Sequence, residues 1–404
     1  MSRAKPVLPR VLYLTHRVPF PPDKGDRIRN YHLLRQLATR ARVWLLALAD
    51  EPVPPATTAE LDRLCERVAV VPLGGAGRYG RMLAAAAFGH SLSEGAHWSR
   101  AAEKVVRQWA TQARFAAAAV SAGALAGYLR LPELRGVPGF VDLVDVDSQK
   151  WLDFADASRG PKRWLYRFEG RRLRALEAGL PGWAAGVSIV AEHEAKLYEG
   201  FAGTGTATVA TNGVDLDYYR PTPEVAEQPA CAFVGALDYL PNVDAAVWFA
   251  TEVWPRVRER VPAAEFRVIG RKPAPAVQRL GELPGVTVVG QVPDVRPFVA
   301  SAAVSVNPMR LSRGLQNKVL EALAMGKAVV AAPPALAALR TVPGEDLLAA
   351  ETPAEWADAV CGLLGDPARR ARLGEAGRRF VETHHHWDRC LRPLLDKMLP
   401  AGET

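Results

Sequence analysis

Short apolar runs alternate with stretches of helical periodicity along nearly the whole chain, and the rhythm breaks once, near the middle. That alternation restricts the fold more than any other feature, because strands interleaved with helices build parallel βαβ units and doubly wound sheets. Residues 10–15 (RVLYLT), 41–48 (ARVWLLAL), 67–71 (RVAVV), 137–145 (VPGFVDLVD) and 185–190 (AGVSIV) read as strands. Residues 25–39 read as a helix, with Ile28, Tyr31, Leu34 and Leu37 on one face. The alanine-rich run 115–129 reads as a buried strand leading into a helix, and is shorter than the ~20 residues of a membrane span. Residues 219–230 are proline-rich and have the composition of a linker. Beyond them the rhythm restarts, with strands at 230–234, 265–269, 286–289, 303–306 and 328–331, and helices at 242–254 and 316–325. A last amphipathic helix covers 367–399.

The chain has 404 residues, too many for one ordinary core, so two domains are expected. The predicted organisation is a Rossmann-like domain over 1–218, a linker over 219–230, a second Rossmann-like domain over 231–375, and a C-terminal helix over 376–404 that crosses back to the first domain. Cys65, Cys231, Cys361 and Cys390 form no CxxC pair, which argues against a zinc site and a disulfide framework. Reduced thiols and the lack of a secretory pattern lead to an expectation of a cytoplasmic protein, with room for peripheral contact with the inner face of the membrane. The net charge of +8 favours anionic partners such as nucleotides and lipid phosphates. No aromatic-rich basic platform for nucleic acid is visible.

Ligands of open α/β sheets bind beyond the carboxyl ends of the strands, which directs attention to four loops. Residues 21–30 (PPDKGDRIRN) place Gly25 at a strand-to-helix turn, with Lys24, Arg27 and Arg29 adding charge. They suit either an anion at a helix N-terminus or an ordinary turn with solvated charges. Residues 142–151 (DLVDVDSQKW) bring Asp142, Asp145 and Asp147 to a strand end, where they could orient acceptor hydroxyls, take a proton or hold a divalent cation, or where Asp145 or Asp147 simply caps the next helix. Residues 233–242 (FVGALDYLPN) place Gly235 after a strand, with Asn242 able to cap the next helix. Residues 307–324 (NPMRLSRGLQNKVLEALA) carry the strongest pattern. There Gly314, Leu315 and Gln316 precede a helix whose free N–H groups suit a diphosphate, and Arg310, Arg313 and Lys318 supply counter-charge. Glu321 reads as either a helix ion-pair partner of Lys318 or a carboxylate gripping a ribose diol.

The run NKVLEALAMGKAVVA (317–331) resembles the donor-site helix of family 4 glycosyltransferases, which have the GT-B fold. The PPDKG loop, TNGVDLDYYRP, FVGALDYLPNVDA, VIGRKP and VTVVGQVPDV extend the likeness along most of the chain. It is closest to the sugar transferases associated with PEP-CTERM/exosortase systems, which share DVDSQKW. The resemblance implies two Rossmann-like domains facing across a cleft, and retaining transfer from a nucleotide-sugar. The acceptor implied is a glycan or lipid-linked molecule of exopolysaccharide or cell-surface glycan synthesis. It places Glu321 on the ribose, Gly314–Gln316 on the pyrophosphate, Gly25 near donor phosphate and acceptor, and Arg271 and Lys272 near the base. Five residues depart from the family pattern: Arg313 stands for a glutamate, Ala236 for an arginine, Pro241 and Asn242 where a lysine is usual, and Asp145 for a histidine. Arg313, Arg310 or Lys318 are then expected to replace the missing cations. Asp145, Arg313 and Gly25 become the candidate catalytic positions, and Lys24, Arg27, Asp142 and Asp147 the acceptor-side set. Neutralising a departing diphosphate with helix N–H groups and cations requires no metal and no cofactor.

Residues 161–180 suit either a basic helix lying on an anionic membrane or a solvated face. His384–His386 read as a solvated turn. A nucleotide-sugar epimerase or a non-catalytic nucleotide-sugar-binding protein would use the same donor site.

Overall fold

The computed structural model describes residues 8–75, 77–311 and 314–400. The chain forms two compact units, Met1–Thr211 with Leu391–Thr404, and Asn212–Cys390. Unit 1 holds seven strands: β1 (Arg10–Thr15), β2 (Arg42–Ala49), β3 (Arg67–Pro72), β4 (Ala117–Ser121), β5 (Gly139–Val144), β6 (Gly186–Ile189) and β7 (Ala207–Val209). They lie in the order β3-β2-β1-β4-β5-β6-β7. Unit 2 holds β8 (Gln228–Val234), β9 (Glu265–Ile269), β10 (Val286–Gly290), β11 (Ala302–Asn307), β12 (Ala328–Ala331) and β13 (Leu348–Ala349). Their order is β10-β9-β8-β11-β12-β13. Neighbouring strands in both sheets pair in parallel.

A parallel sheet with helices on both faces is buried on both sides, so its strands become continuous apolar runs. β2 illustrates this, with every residue from Val43 to Ala49 buried. In each sheet the strand order reverses once, between β1 and β4 and between β8 and β11. Such a reversal opens a crevice at the carboxyl ends of the two central strands, where the flanking crossovers leave in opposite directions.

Several expectations are corrected. The division falls at Thr211/Asn212 and again at Cys390/Leu391, not at 218 and 375. The proline-rich stretch 219–230 belongs to unit 2. The carbonyl oxygens of Tyr219 and Ala324 both accept from Arg378 Nη1, at 2.9 and 2.5 Å. Glu227 pairs with Lys327 and Arg370. The last helix is two, Pro367–His384 and Trp387–Met398. Between them His385 is buried and its Nδ1 lies 2.8 Å from the carbonyl oxygen of Asn212. The expectation of a solvated turn therefore fails for His385, while His384 and His386 are exposed. Val214 N donates to His385 O, and a Cβ on Gly213 would come within 2.6 Å of Trp387 N. After β4 the chain makes a 3-10 segment, Gly123–Arg130, in place of the expected helix.

Candidate functional site

The helix Asn317–Ala324 starts in unit 2 just after Gly314, whose φ of +63° favours glycine. Gln316 is its N-cap, in extended conformation, and Asn317 Oδ1 accepts from Asn212 Nδ2. Lys318, in the first turn, sends its ammonium towards the crevice at β8 and β11. Nζ donates to Asn242 Oδ1 at 2.6 Å and lies 4.7 Å from the Phe233 ring centroid. Among the described residues it forms no ion pair. Burial pushes Lys318 down to about 7, with the Glu321 charge pulling the other way. Burial likewise pushes Glu321 up to about 7, opposed by its hydrogen bond with Tyr219 and by Lys318.

Gly235 makes room for this arrangement. A Cβ there would meet Asn242 Nδ2 at 2.9 Å and Lys318 Nζ at 3.1 Å. The space beside its Cα is thus filled by Asn242 and Lys318 instead of standing open. Asn242 does not cap the helix Leu240–Trp248 but lies inside it, with Nδ2 donating to Ala236 O at 2.9 Å. The loops after β8 and β9 touch backbone to backbone, since a Cβ on Gly270 would sit 1.7 Å from Gly235 O. Arg271 and Lys272 follow in that second loop. Arg271 O accepts from Leu237 N, and Lys272 is held at φ +51°. At the end of β11, the buried Asn307 has neither side-chain atom hydrogen-bonded. It shares with Tyr219, Lys318 and Glu321 the lining of a cavity of about 10 Å³, room for about one water. A larger ligand would have to meet these groups from the crevice.

Arg310 already has its charge matched. It pairs with Asp244 at 2.8 Å and stacks over Trp248, 4.9 Å from the ring centroid. Arg313 lies outside the described residues. Of the three cations expected to face a diphosphate, Lys318 is therefore the one the described structure brings beside Gly235.

In unit 1, His16 follows β1 and Ser121 ends β4. His16 Nδ1 lies 3.2 Å from Ser121 Oγ, and Nε2 lies 3.1 Å from Asp26 Oδ2. Arg17 Nη1 donates to the same Asp26 oxygen at 2.9 Å. Burial raises the Asp26 carboxyl, but His16 and Arg17 together hold it well below the usual carboxylate range. His97 sits edge-on to His16 with ring centroids 6.0 Å apart, and burial with the neighbouring His16 takes it down to about 4. On the next strand, Asp145 follows β5, and its Oδ1 is sealed without a hydrogen-bond partner. Burial, then Glu194 and Asp147, push its carboxyl up to about 7. Residues adjacent to these groups are strained. Val144 has φ +67° and Ala122, after Ser121, φ +76°. Left-handed backbone is costly for a β-branched residue and concentrates where side chains must be aimed.

The other acceptor-side expectations separate. Asp142 is buried and holds Arg29 in a two-pronged pair at 2.7 and 2.8 Å, with Ser188 Oγ donating at 2.7 Å. This carboxylate is spent inside the fold and does not face an acceptor. Arg27 is also buried, against Asp23 and Glu51. Lys24 is the N-cap of the helix Gly25–Arg40, and Gly25 opens that helix. Asp147 opens the helix Asp147–Asp156, but neither it nor Asp145 caps it. Glu194 accepts from Val146 N and Glu177 from Ser148 N instead. His16, Asp26 and Ser121 were not singled out in the sequence. Their one local signal is a histidine directly after the first strand. Among the described residues no group of three or more His, Cys, Asp or Glu is placed to hold a metal ion.

Residues 228–366 match the family described as Glycosyl transferases group 1. Over 80 residues the chain is 42% identical to D-inositol 3-phosphate glycosyltransferase from Xylanimonas cellulosilytica, a match that spans 19% of this chain and 18% of that protein. Solved structures align over nearly the full length. Sucrose-phosphate synthase from Thermosynechococcus elongatus has a TM-score of 0.71 at 16% identity, covering 96% of this chain and 98% of its own. HepE of Anabaena, solved with UDP and glucose, gives 0.65 at 14%, covering 96% and 99%. WaaG, a glycosyltransferase of lipopolysaccharide biosynthesis, gives 0.66 at 15%, covering 97% and 100%. The chain therefore has the GT-B fold of two Rossmann-like units, and the second unit is similar to glycosyl transferases group 1.

Proposed function

We propose that the protein transfers a sugar from a nucleotide-diphosphate sugar to an acceptor hydroxyl, with unit 2 as the donor-binding unit. The observation that carries this reading is the Lys318 ammonium. It is half-buried, has no carboxylate in ion-pair contact among the described residues, and stands beside a helix N-terminus at the crevice of a doubly wound sheet. Such a charge is destabilised until an anion arrives. A diphosphate would gain it together with the helix N–H groups at Gly314–Gln316. Glu321, one turn further on, is suited to the ribose diol.

In the reaction the bond from the sugar C1 to the diphosphate oxygen breaks and one to the acceptor oxygen forms. Charge on the departing diphosphate must be neutralised, and Lys318 with the helix dipole can do that. The acceptor hydroxyl gives up a proton, and unit 1 offers Asp145 and the His16–Asp26 pair as proton-accepting groups. Retention of configuration and a glycan or lipid-linked acceptor are supported by the likeness of the 142–151 and 317–331 segments described above.

Thermal stability against UDP, GDP, ADP and dTDP and their sugars tests the donor site. A ligand at a hundredfold excess over its dissociation constant adds about 2.7 kcal/mol. One nucleotide series is expected to stabilise the wild type and to lose that effect in Lys318→Met. If no series shifts the melting point, the donor assignment fails. If the donor binds but is never consumed with any glycan or lipid-linked acceptor, the non-catalytic reading favoured by Ala236 and by the pairing of Arg310 with Asp244 replaces it.

A further inference from the structure

Unit 1 carries a helix, Gly77–Ala87, in which no described residue is buried. Tyr79 and Leu83, one turn apart on it, are each 70% exposed, and Phe88 at its end is 84% exposed. The basic helix Pro161–Gly179 shows Trp164, 74% exposed, and Leu165, 50% exposed. Large apolar side chains at such exposure are ordinary when scattered, but a contiguous group of them marks a contact surface.

These are contiguous. Glu169 of the basic helix accepts from the backbone N–H groups of Leu92 and Ser93, which fastens that helix to the segment following Phe88. Arg172 Nη1 would lie 3.6 Å from a Cβ on Gly89, and its guanidinium covers the Phe168 ring at 5.4 Å. Trp164, Phe168 and Arg172 are spaced by four residues and share one stripe. A line therefore runs from Phe88 through Arg172 and Phe168 to Trp164.

The charge around this line is predominantly positive. No Asp or Glu occurs between Glu66 and Glu94, nor between Asp156 and Glu169. The two acids of the basic helix, Glu169 and Glu177, are both buried, and the exposed Asp156 of the preceding helix is paired with Arg167. What the basic helix exposes is Lys162, Arg163, Arg171 and Arg172, and the helix Gly77–Ala87 adds Arg78. Exposed aromatic and aliphatic side chains rimmed mainly by cations suit the headgroup region of an anionic bilayer.

We infer that this face of unit 1 is a docking surface for an anionic lipid bilayer, with Phe88 and Trp164 entering the interface and the basic side chains contacting lipid phosphates. The inference does not depend on the donor site or on transfer.

The test is co-sedimentation of the full chain with vesicles of phosphatidylcholine alone and of equimolar phosphatidylcholine and phosphatidylglycerol, without nucleotide. The wild type is expected to partition roughly tenfold or more in favour of the anionic vesicles, with the preference shrinking as salt rises. Phe88→Ser with Trp164→Ser is expected to cut anionic-vesicle binding by roughly tenfold at an unchanged melting point, because both side chains are exposed. Arg163→Gln with Arg171→Gln is expected to cut it to a similar degree. Equal or absent binding to the two vesicles overturns the proposal. So does binding that survives loss of Phe88 and Trp164. A concentration-dependent dimer that Phe88→Ser dissolves would assign the face to a second copy of the chain and would equally overturn it.

Discussion

The two sheet reversals have the same topology and opposite electrostatics. At β1 and β4 three arginines are matched by carboxylates: Arg17 by Asp26 and Asp50, Arg27 by Asp23 and Glu51, Arg29 by Asp142. At β8 and β11, Lys318 is held by an amide oxygen and an aromatic face, and Asn307 has no hydrogen-bond partner. A neutralised cluster has little to offer a diphosphate, whereas an ammonium without a counter-ion has much to gain from one. Arg27 and Arg29 of the 21–30 loop thus do internal work, and the proposed phosphate-binding role falls to unit 2. Unit 1 keeps what a proton transfer needs, namely titratable groups already oriented by hydrogen bonds.

The largest effect expected concerns the buried pair. Asp142→Asn leaves the Arg29 charge buried without its partner and should cost about 3–5 kcal/mol in denaturant unfolding. A loss below about 1 kcal/mol, the value of a surface pair, would return Asp142 to the acceptor-side set. Next, His16→Ala should slow transfer by about a hundredfold while leaving the nucleotide dissociation constant unchanged, as removal of a proton-transfer group does. A weakened nucleotide affinity in that variant would break the division between the units. Lys318→Met should do the converse, weakening nucleotide binding by roughly tenfold to a hundredfold through loss of a charge-assisted contact.

The smallest effect is in pH. Lys318 in the free protein sits at about 7, and a bound diphosphate would raise it. Binding then takes up a proton, so affinity is complete below that value and falls as pH rises through it, by at most about tenfold per unit. Glu321 also sits at about 7 and, as a carboxylate holding the ribose, acts with the opposite sign, so the fall is read as the difference in slope between the wild type and Lys318→Met in a titration of nucleotide affinity from neutral to mildly alkaline pH. Asp26, held well below the usual range, contributes no change over the same interval.

Sequence reasoning was well suited to the central strands, because burial on both faces makes them continuous apolar runs that end at recognisable loops. It missed β7 and β13, three and two residues long, which are too short to show a period. It also missed the His16–Ser121 contact, whose partners are 105 positions apart and meet only because β1 and β4 are neighbours. Asp142 misled for a related reason. A carboxylate near a strand end looks the same in sequence whether it points to ligand or, as here, to Arg29 from another strand's crossover helix. Lys318 was among several equivalent cations until Asn242 and Gly235 showed which of them had a place to sit.

The paired passages at Asn212–Val214 and His385–Trp387 have a consequence for the gene as much as for the fold. Unit 1 is discontinuous, so unit 2 is an insertion within it, entering after Thr211 and leaving before Leu391. The two ends of the insert are bonded to each other, through His385 to Asn212 and Val214. Adjacent ends are what allow one domain to be spliced into another without disturbing the host. The division at 390/391 falls inside the helix Trp387–Met398, so the insert shares that helix with its host and cannot be excised there without cutting it.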